Sequence, residues 1–367
     1  MKLRKITAIL VATFMLLAVA TACNGESESN DNIQNTENRN TESQDETPDL
    51  TATEKIKIVS TTFPQYDWTR EIIGDKADDF ELTLLINSAV DLHSYDPSIS
   101  DIAKISDCDL FIYVGGESDE WVKNALDNAD NPDMVAINLV EELGDAVKTE
   151  RITEGMEHED DHDDHDEEDD HDDEDDHDHE DEEDEHVWLS LRNAQLFCEV
   201  IADAISSLDP ENADAYDANM TAYIKRLDDL DKEYQDMADS ATVKTLLFAD
   251  RFPFLYLADD YGIDFYAAFS GCSAETEASP STIATLTEKL NELGLKFVMV
   301  TESANQKIAE TIIGNTESKD QTILVLDAIQ SVTVKDIENG ATYLSIMESN
   351  LEVLTAALEV EFEPVLA

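Results

Sequence analysis

The chain has 367 residues, of which 42% are hydrophobic, and this is enough to bury the cores of two α/β domains. Its formal net charge of −63 at pH 7 is extreme for that length. Such a charge excludes nucleic acid and anionic membrane surfaces as expected partners, and it favours the binding of cations.

Residues 1–22 are typical of a bacterial secretion signal. Three basic residues precede the apolar stretch 6–20, and small residues at 20–22 end directly at Cys23. This arrangement resembles a lipobox, although Ala20 stands where leucine is more usual. We therefore expect cleavage before Cys23, lipid attachment to its sulfur, and a location on the outer face of the cell membrane, anchored by lipid alone. Residues 23–54, rich in Asn, Glu, Ser and Thr, are expected to form a flexible tether.

Short apolar strands alternate with helices over residues 55–208, which we predict to be the first lobe. The predicted strands are Ile56–Val59, Phe80–Ile86, Leu110–Val114 and Met134–Leu139. Strands that alternate with helices in this way predict a parallel sheet with helices on its faces.

Every residue from 157 to 185 is Asp, Glu or His, with 23 carboxylates and six histidines. This acidic run contains nothing apolar to bury and repels itself, so we expect a solvated insertion in the first lobe. Imidazole and carboxylate groups bind divalent transition metals, and the run therefore indicates metal handling. The alternative is an acidic spacer that only adds solubility.

The second half of the chain begins with a predicted linking helix over residues 209–240. Apolar residues recur there in steps of three and four along one stripe, as in one long amphipathic helix. Residues 241–367 are predicted to be the second lobe, with strands at Val243–Ala249, Phe297–Val300 and Thr322–Leu326. The predicted fold class is α/β, with two parallel-sheet lobes joined by the long helix. A ligand is expected in the cleft between the lobes, at the carboxyl ends of the strands.

Two short elements carry a family resemblance. Ser88–Ser98 reads S-A-V-D-L-H-S-Y-D-P-S and contains His93, and Asp184–Ser190 reads D-E-H-V-W-L-S and contains His186. Over residues 55–358 the chain resembles the substrate-binding proteins of zinc and manganese ABC importers. The zinc-binding branch of that family carries a His- and acid-rich loop directly before the second histidine, as this chain does. The resemblance implies that His93 and His186 are metal ligands.

The resemblance also implies ligands from the second lobe, and there the sequence departs from the family. Asp327 matches the acid that follows the last strand. Arg251 stands where zinc members carry histidine and manganese members glutamate, and a guanidinium cannot bind a cation. Asp250 is the expected substitute, and Arg251 is expected to pair with a carboxylate of the cleft. The alternative ligands are Cys272, Glu275 and Glu277. A cysteine thiolate would favour zinc over manganese.

The expected protein is a monomeric extracellular receptor, and not an enzyme, that binds Zn²⁺ and delivers it to an ABC permease and its ATPase. One alternative is a receptor for Mn²⁺, and another is a metal buffer or adhesin without a transport role. A metallohydrolase is disfavoured because no H-E-x-x-H helix, nucleophile elbow or Gly-rich phosphate loop is present. The acids around the site are expected to favour imidazolium, so that metal binding fails at a higher pH than for free histidine.

Overall fold

The structure is a computed structural model that describes residues 54–88, 90–157, 182–273 and 277–360. The predicted signal peptide, Cys23 and the tether up to residue 53 lie outside these ranges, as do Glu275 and residues 158–181 of the acidic run. Within the described ranges, no helix is both long and apolar enough to cross a bilayer.

Four parallel strands in the order β2-β1-β3-β4 form the first sheet. They are β1 Ile56–Ser60, β2 Phe80–Leu84, β3 Leu110–Tyr113 and β4 Val135–Asn138. The helices of this half are α1 Phe63–Ile73, α2 Ile99–Ser106, α3 Glu120–Asp127 and α4 Leu139–Leu143. The first three residues of β3 are wholly buried, as expected for a strand of a parallel sheet covered on both faces. All four predicted strands are therefore present.

Two helices lead out of the first half. They are α5 Leu191–Leu208 and α6 Ala213–Ser240, and α6 has 28 residues. The buried residues of α6 follow the predicted stripe and include Tyr216, Tyr223, Leu227, Leu230 and Tyr234. The long helix expected from the spacing of apolar residues is thus observed.

The second sheet repeats the strand order of the first. Its strands, all parallel, lie in the order β6-β5-β7-β8. They are β5 Thr245–Arg251, β6 Asp264–Phe269, β7 Phe297–Thr301 and β8 Thr322–Leu326. The helices are α7 Leu255–Tyr261, α8 Pro280–Leu293, α9 Lys307–Asn315, α10 Val334–Glu338 and α11 Tyr343–Ala357. The sequence did not predict β6, an edge strand in which two alanines, weak strand formers, interrupt the aromatic pattern.

One apolar core runs through both halves of the described chain. It includes Trp68 of α1, Tyr234 of α6 and Met347 of α11. The Trp188 indole nitrogen donates a 2.9 Å hydrogen bond to the Ala328 carbonyl, which joins the region after the acidic run to the loop after β8. The predicted fold class, two parallel-sheet α/β halves joined by a long helix, is confirmed.

The chain that leads into the acidic run contacts the second sheet. The Arg151 guanidinium lies 4.4 Å from the centre of the Phe265 ring. The Glu157 backbone N–H donates to the Ala268 carbonyl at 2.9 Å. The sequence assigns these residues to the first lobe, but their contacts connect that lobe to β6.

Candidate metal site

Two histidines that are far apart in sequence meet in space. His93 lies in a short 3-10 turn, Leu92–Ser94, in the loop after β2, and the Asp91 side chain caps this turn by accepting a 3.0 Å hydrogen bond from the His93 backbone N–H. His186 directly precedes a second 3-10 turn, Val187–Leu189. The Nε2 atoms of His93 and His186 are 3.1 Å apart. Two nitrogen ligands of one tetrahedral Zn²⁺ would be about 3.3 Å apart, so this pair is spaced as ligands of one ion.

Cys272 completes a group of three with these histidines. The ligand atoms of His93, His186 and Cys272 all lie within 4.8 Å of one another. It is the one group of three or more His, Cys, Asp or Glu side chains, among the residues that the structure describes, that is spaced to hold a metal ion. The Cys272 backbone N–H donates a 2.8 Å hydrogen bond to the Glu150 carboxylate, which holds the loop after β6 in place. Burial raises the pKa of the Cys272 thiol, so that a bound metal ion would have to displace its proton.

The other proposed ligands lie outside this group. Asp250, the expected substitute for Arg251, accepts hydrogen bonds from the backbone and hydroxyl of Thr301 and so joins the ends of β5 and β7. The Asp250 carboxylate is thus occupied by hydrogen bonds to Thr301, and the sequence alone could not show these bonds. Glu277 is exposed and also outside the group.

Asp327 follows β8 as predicted, but it does not join the group of three either. Its carboxylate accepts a 2.7 Å hydrogen bond from the Ile329 backbone. Burial, together with the charge of Glu302, raises the pKa of Asp327 to about 7. Glu302 in turn accepts a 2.8 Å hydrogen bond from the Ala328 backbone. Glu302 therefore orients the loop that carries Asp327.

Arg251 pairs with a cleft carboxylate, as its sequence context suggested. Its guanidinium forms an ion pair with Asp91, which joins the end of β5 to the loop that carries His93. Burial alone would raise the pKa of Asp91, but the neighbouring charge of Arg251 holds this pKa below its usual range. Beside the pair is a cavity of about 240 Å³, lined in part by His93 and Ser94. A larger groove of about 850 Å³ between α8 and α9 contains none of the candidate ligands.

The last two acids of the run are buried, which corrects the expectation that the whole run is solvated. Asp184 and Glu185 are only 1% and 2% exposed. The Asp184 carboxylate accepts hydrogen bonds from the His186 backbone at 2.8 Å and lies 3.1 Å from His186 Nδ1. Each of them accepts a backbone hydrogen bond, Asp184 from His186 and Glu185 from Ser118, and these bonds offset part of the cost of burial. The apolar V-W-L stretch that begins two residues after Glu185 was the only sequence signal of this burial.

The acids do not make the His93 imidazole easier to protonate. Burial lowers the pKa of His93 to about 3, and the charge of His186 acts in the same direction. The expectation that surrounding acids favour imidazolium is therefore wrong for His93, because the loss of solvation outweighs the attraction of the Asp91 carboxylate. The ring is neutral near pH 7, the form that binds a metal ion. The three described cysteines, Cys108, Cys198 and Cys272, are all free thiols.

Comparison with known proteins identifies the family of the chain. The profile of the family "Zinc-uptake complex component A periplasmic" (ZnuA) matches residues 58–357. The zinc-binding lipoprotein AdcA of Streptococcus pneumoniae is 33% identical over 307 residues, which are 84% of this chain and 56% of AdcA. The high-affinity zinc uptake system protein ZnuA of Bacillus subtilis is 33% identical over 308 residues, 84% of this chain and 89% of that protein.

A solved structure has the same fold. The Zn(II)-bound ZnuA-like domain of Streptococcus pneumoniae AdcA superposes with a TM-score of 0.63 at 30% identity, covering 83% of this chain and 99% of that domain. The present chain thus spans little more than half of whole AdcA but nearly all of its ZnuA-like domain. On the sequence profile, the relatives and the shared fold, the chain belongs to the ZnuA family of zinc-uptake proteins.

Proposed function

We propose that this protein is the extracellular solute-binding component of an ABC metal importer, which captures Zn²⁺ and delivers it to a membrane permease. The observation that carries the proposal is the convergence of His93, His186 and Cys272 on one point. Two imidazoles and one thiolate form a ligand set that binds zinc tightly.

The ligand set favours zinc over manganese. Mn²⁺ prefers carboxylate, carbonyl and water oxygen, whereas thiolate and imidazole suit Zn²⁺. Asp327 is the proposed fourth ligand, and it would have to approach the other three and lose its proton when the ion binds. If Asp327 stays away, the fourth position of a tetrahedral site would be taken by water.

The cell-surface location and the partners belong to the same proposal. Cys23 would carry the lipid anchor, and the permease with its ATPase would receive the ion. The acids and histidines at 158–181 would gather cations weakly near the cleft, because their high charge raises the local cation concentration. Tight binding would remain with His93, His186 and Cys272.

Zinc titrations of two proteins separate these roles. The full chain and a variant without residues 158–181 are titrated in competition with a chelator of known affinity, with Mn²⁺ in a parallel series. Both proteins should bind one Zn²⁺ tightly and prefer it to Mn²⁺, while the weak additional binding should be lost with the run. Loss of the tight site in the shortened variant, or a preference for Mn²⁺, would contradict the proposal.

A further inference from the structure

A hydroxyl and a buried carboxylate lie behind the His93 ring, on the side away from His186. The Ser118 hydroxyl is 2.7 Å from His93 Nδ1, and the Glu185 carboxylate oxygen Oε2 is 3.4 Å from the same nitrogen. The other Glu185 oxygen accepts a 2.8 Å hydrogen bond from the Ser118 backbone N–H. Oε2 is buried and has no hydrogen-bond partner within the described chain, and His93 Nδ1 is the ring nitrogen that it faces.

The backbone leaves room for this carboxylate. Gly116 has a φ of +79°, and a Cβ atom at this position would lie 2.4 Å from Glu185 Oε1. Any other residue would therefore be strained and would also push the carboxylate away. Gly116, which lies shortly after β3, thus allows Glu185 to take this position.

The tautomer of His93 determines whether it can bind a metal ion. A neutral imidazole carries its proton on one ring nitrogen and offers a lone pair on the other. His93 Nε2 points at His186 Nε2, so metal binding requires the proton on Nδ1. A serine hydroxyl alone does not decide this, because it can donate to Nδ1 or accept from it.

The Glu185 carboxylate favours the tautomer of His93 that carries its proton on Nδ1. Its Oε2 lies 3.4 Å from His93 Nδ1 and is buried without another hydrogen-bond partner in the described chain, and a carboxylate oxygen accepts hydrogen bonds. An acceptor at this place favours the proton on Nδ1, where the Ser118 hydroxyl oxygen, 2.7 Å away, can accept it as well. Asp184 stands in the same relation to His186 Nδ1, at 3.1 Å.

We infer that Glu185, the last acid of the run, is a positioning residue that holds His93 in the Nδ1–H tautomer and so presents Nε2 to the metal ion. The inference rests on the proposed metal site. Partners of this kind behind a metal-binding histidine are worth about 10- to 100-fold in affinity. The described end of the run therefore has two parts: the exposed Glu182 and Glu183, and the buried Asp184 and Glu185.

The test compares Glu185→Gln with Glu183→Gln in the full chain. Glutamine keeps the size of the side chain and an oxygen for the Ser118 N–H, but it turns an NH₂ donor toward His93 Nδ1. The proton should then move to Nε2, where it blocks the metal ion. We expect zinc to bind E185Q about 10- to 100-fold more weakly. E183Q, with an exposed side chain two positions away, should bind zinc like the unchanged protein.

A second readout separates positioning from a general structural role. Long-range ¹H–¹⁵N spectra of the zinc-free proteins report the tautomer of each histidine, and His93 is assigned by the loss of its signals in His93→Gln. We expect the Nδ1–H form in the unchanged protein and in E183Q, and the Nε2–H form in E185Q. An unchanged tautomer or an unchanged zinc affinity in folded E185Q would overturn the inference.

If E185Q does not fold, Ser118→Ala is tested instead. Without the serine hydroxyl, Glu185 is the acceptor that remains next to His93 Nδ1, so His93 should keep its Nδ1–H form. An Nε2–H form in S118A would overturn the inference. Failure of the unchanged protein to bind zinc at His93 and His186 would instead contradict the proposed function itself.

Discussion

Cys272 is the residue whose chemistry most distinguishes this site from a site made of imidazole and carboxylate alone. Its sulfur lies within 4.8 Å of the two histidine ligand atoms, in a loop held by Glu150. Sulfur ligands are soft, and they discriminate against ions such as Mn²⁺ that prefer oxygen. In the proposed site, the side chain would therefore contribute both affinity and selectivity.

Replacing Cys272 with serine tests this contribution. Because a direct ligand is lost, Cys272→Ser should weaken zinc binding by more than the about 10- to 100-fold expected for a partner behind a histidine. The preference for Zn²⁺ over Mn²⁺ should also fall. Chelator competition measures both, and Co²⁺ substitution should lose its sulfur-to-metal charge-transfer band. Cys108→Ala, a change in the core, should leave metal binding unchanged, and equal effects of the two variants would exclude Cys272 as a ligand.

At the level of elements, the Asp91–Arg251 pair connects the loop after β2 to the end of β5. Arg251 takes the sequence position where zinc relatives were expected to carry a histidine ligand. A metal ligand at that position would join the two halves only when the ion is bound, whereas this ion pair joins them through protein atoms alone. The pair is mostly buried, with side chains 16% and 19% exposed, so solvent screens it only in part.

A double-mutant cycle with Asp91→Ala and Arg251→Ala measures that connection. Each single change should lower the free energy of unfolding, and the coupling energy should be about 0.5–3 kcal/mol. Urea denaturation of the four proteins gives the values. The exposed pair of Lys123 and Asp127 on α3 serves as the control and should show a coupling at or below about 0.5 kcal/mol. Additive effects at Asp91 and Arg251 would mean that the pair does not stabilise the fold.

The sequence predicted the elements better than the contacts between their ends. Strand–helix alternation was enough for seven of the eight strands that the structure describes and for α6, because continuous apolar runs and a 3.6-residue period are local signals. The edge strand β6 lacked that signal. The meeting of Cys272 with His93 and His186 depends on loop conformations that no local pattern encodes. The sequence therefore left Asp250 and Cys272 as alternatives.

At the scale of the whole molecule, buried acids make stability depend on pH. Burial raises the pKa of Asp119 to about 7, although Val114 and Gly115 donate backbone hydrogen bonds to it. Burial also raises the pKa of Asp67 to about 6. Folded chains then bind more protons than unfolded ones between about pH 4 and 7, so this contribution to stability falls as the pH rises through that window. His93, with a lowered pKa, acts in the opposite direction below about pH 6.5.

Asp119→Asn isolates one of these contributions. Asparagine keeps an oxygen for the two backbone donors but does not titrate. The unfolding free energy of zinc-free D119N should therefore fall less steeply between pH 5 and 7, by up to about 1.4 kcal/mol per pH unit. Urea denaturation at a series of pH values gives the slope. Asp127→Asn, on an exposed side chain, should leave the slope unchanged, and identical slopes for D119N and the unchanged protein would refute a raised pKa at Asp119.

The central claim is that one metal ion binds between His93, His186 and Cys272. A crystal structure of the zinc-loaded full chain, with anomalous data collected on both sides of the zinc edge, tests it directly. We predict a single strong zinc peak in contact with Nε2 of both histidines at about 2.0–2.1 Å and with the Cys272 sulfur at about 2.3 Å. A zinc peak held only by residues 158–181, or one in the cleft that the Cys272 sulfur does not contact, would contradict the account.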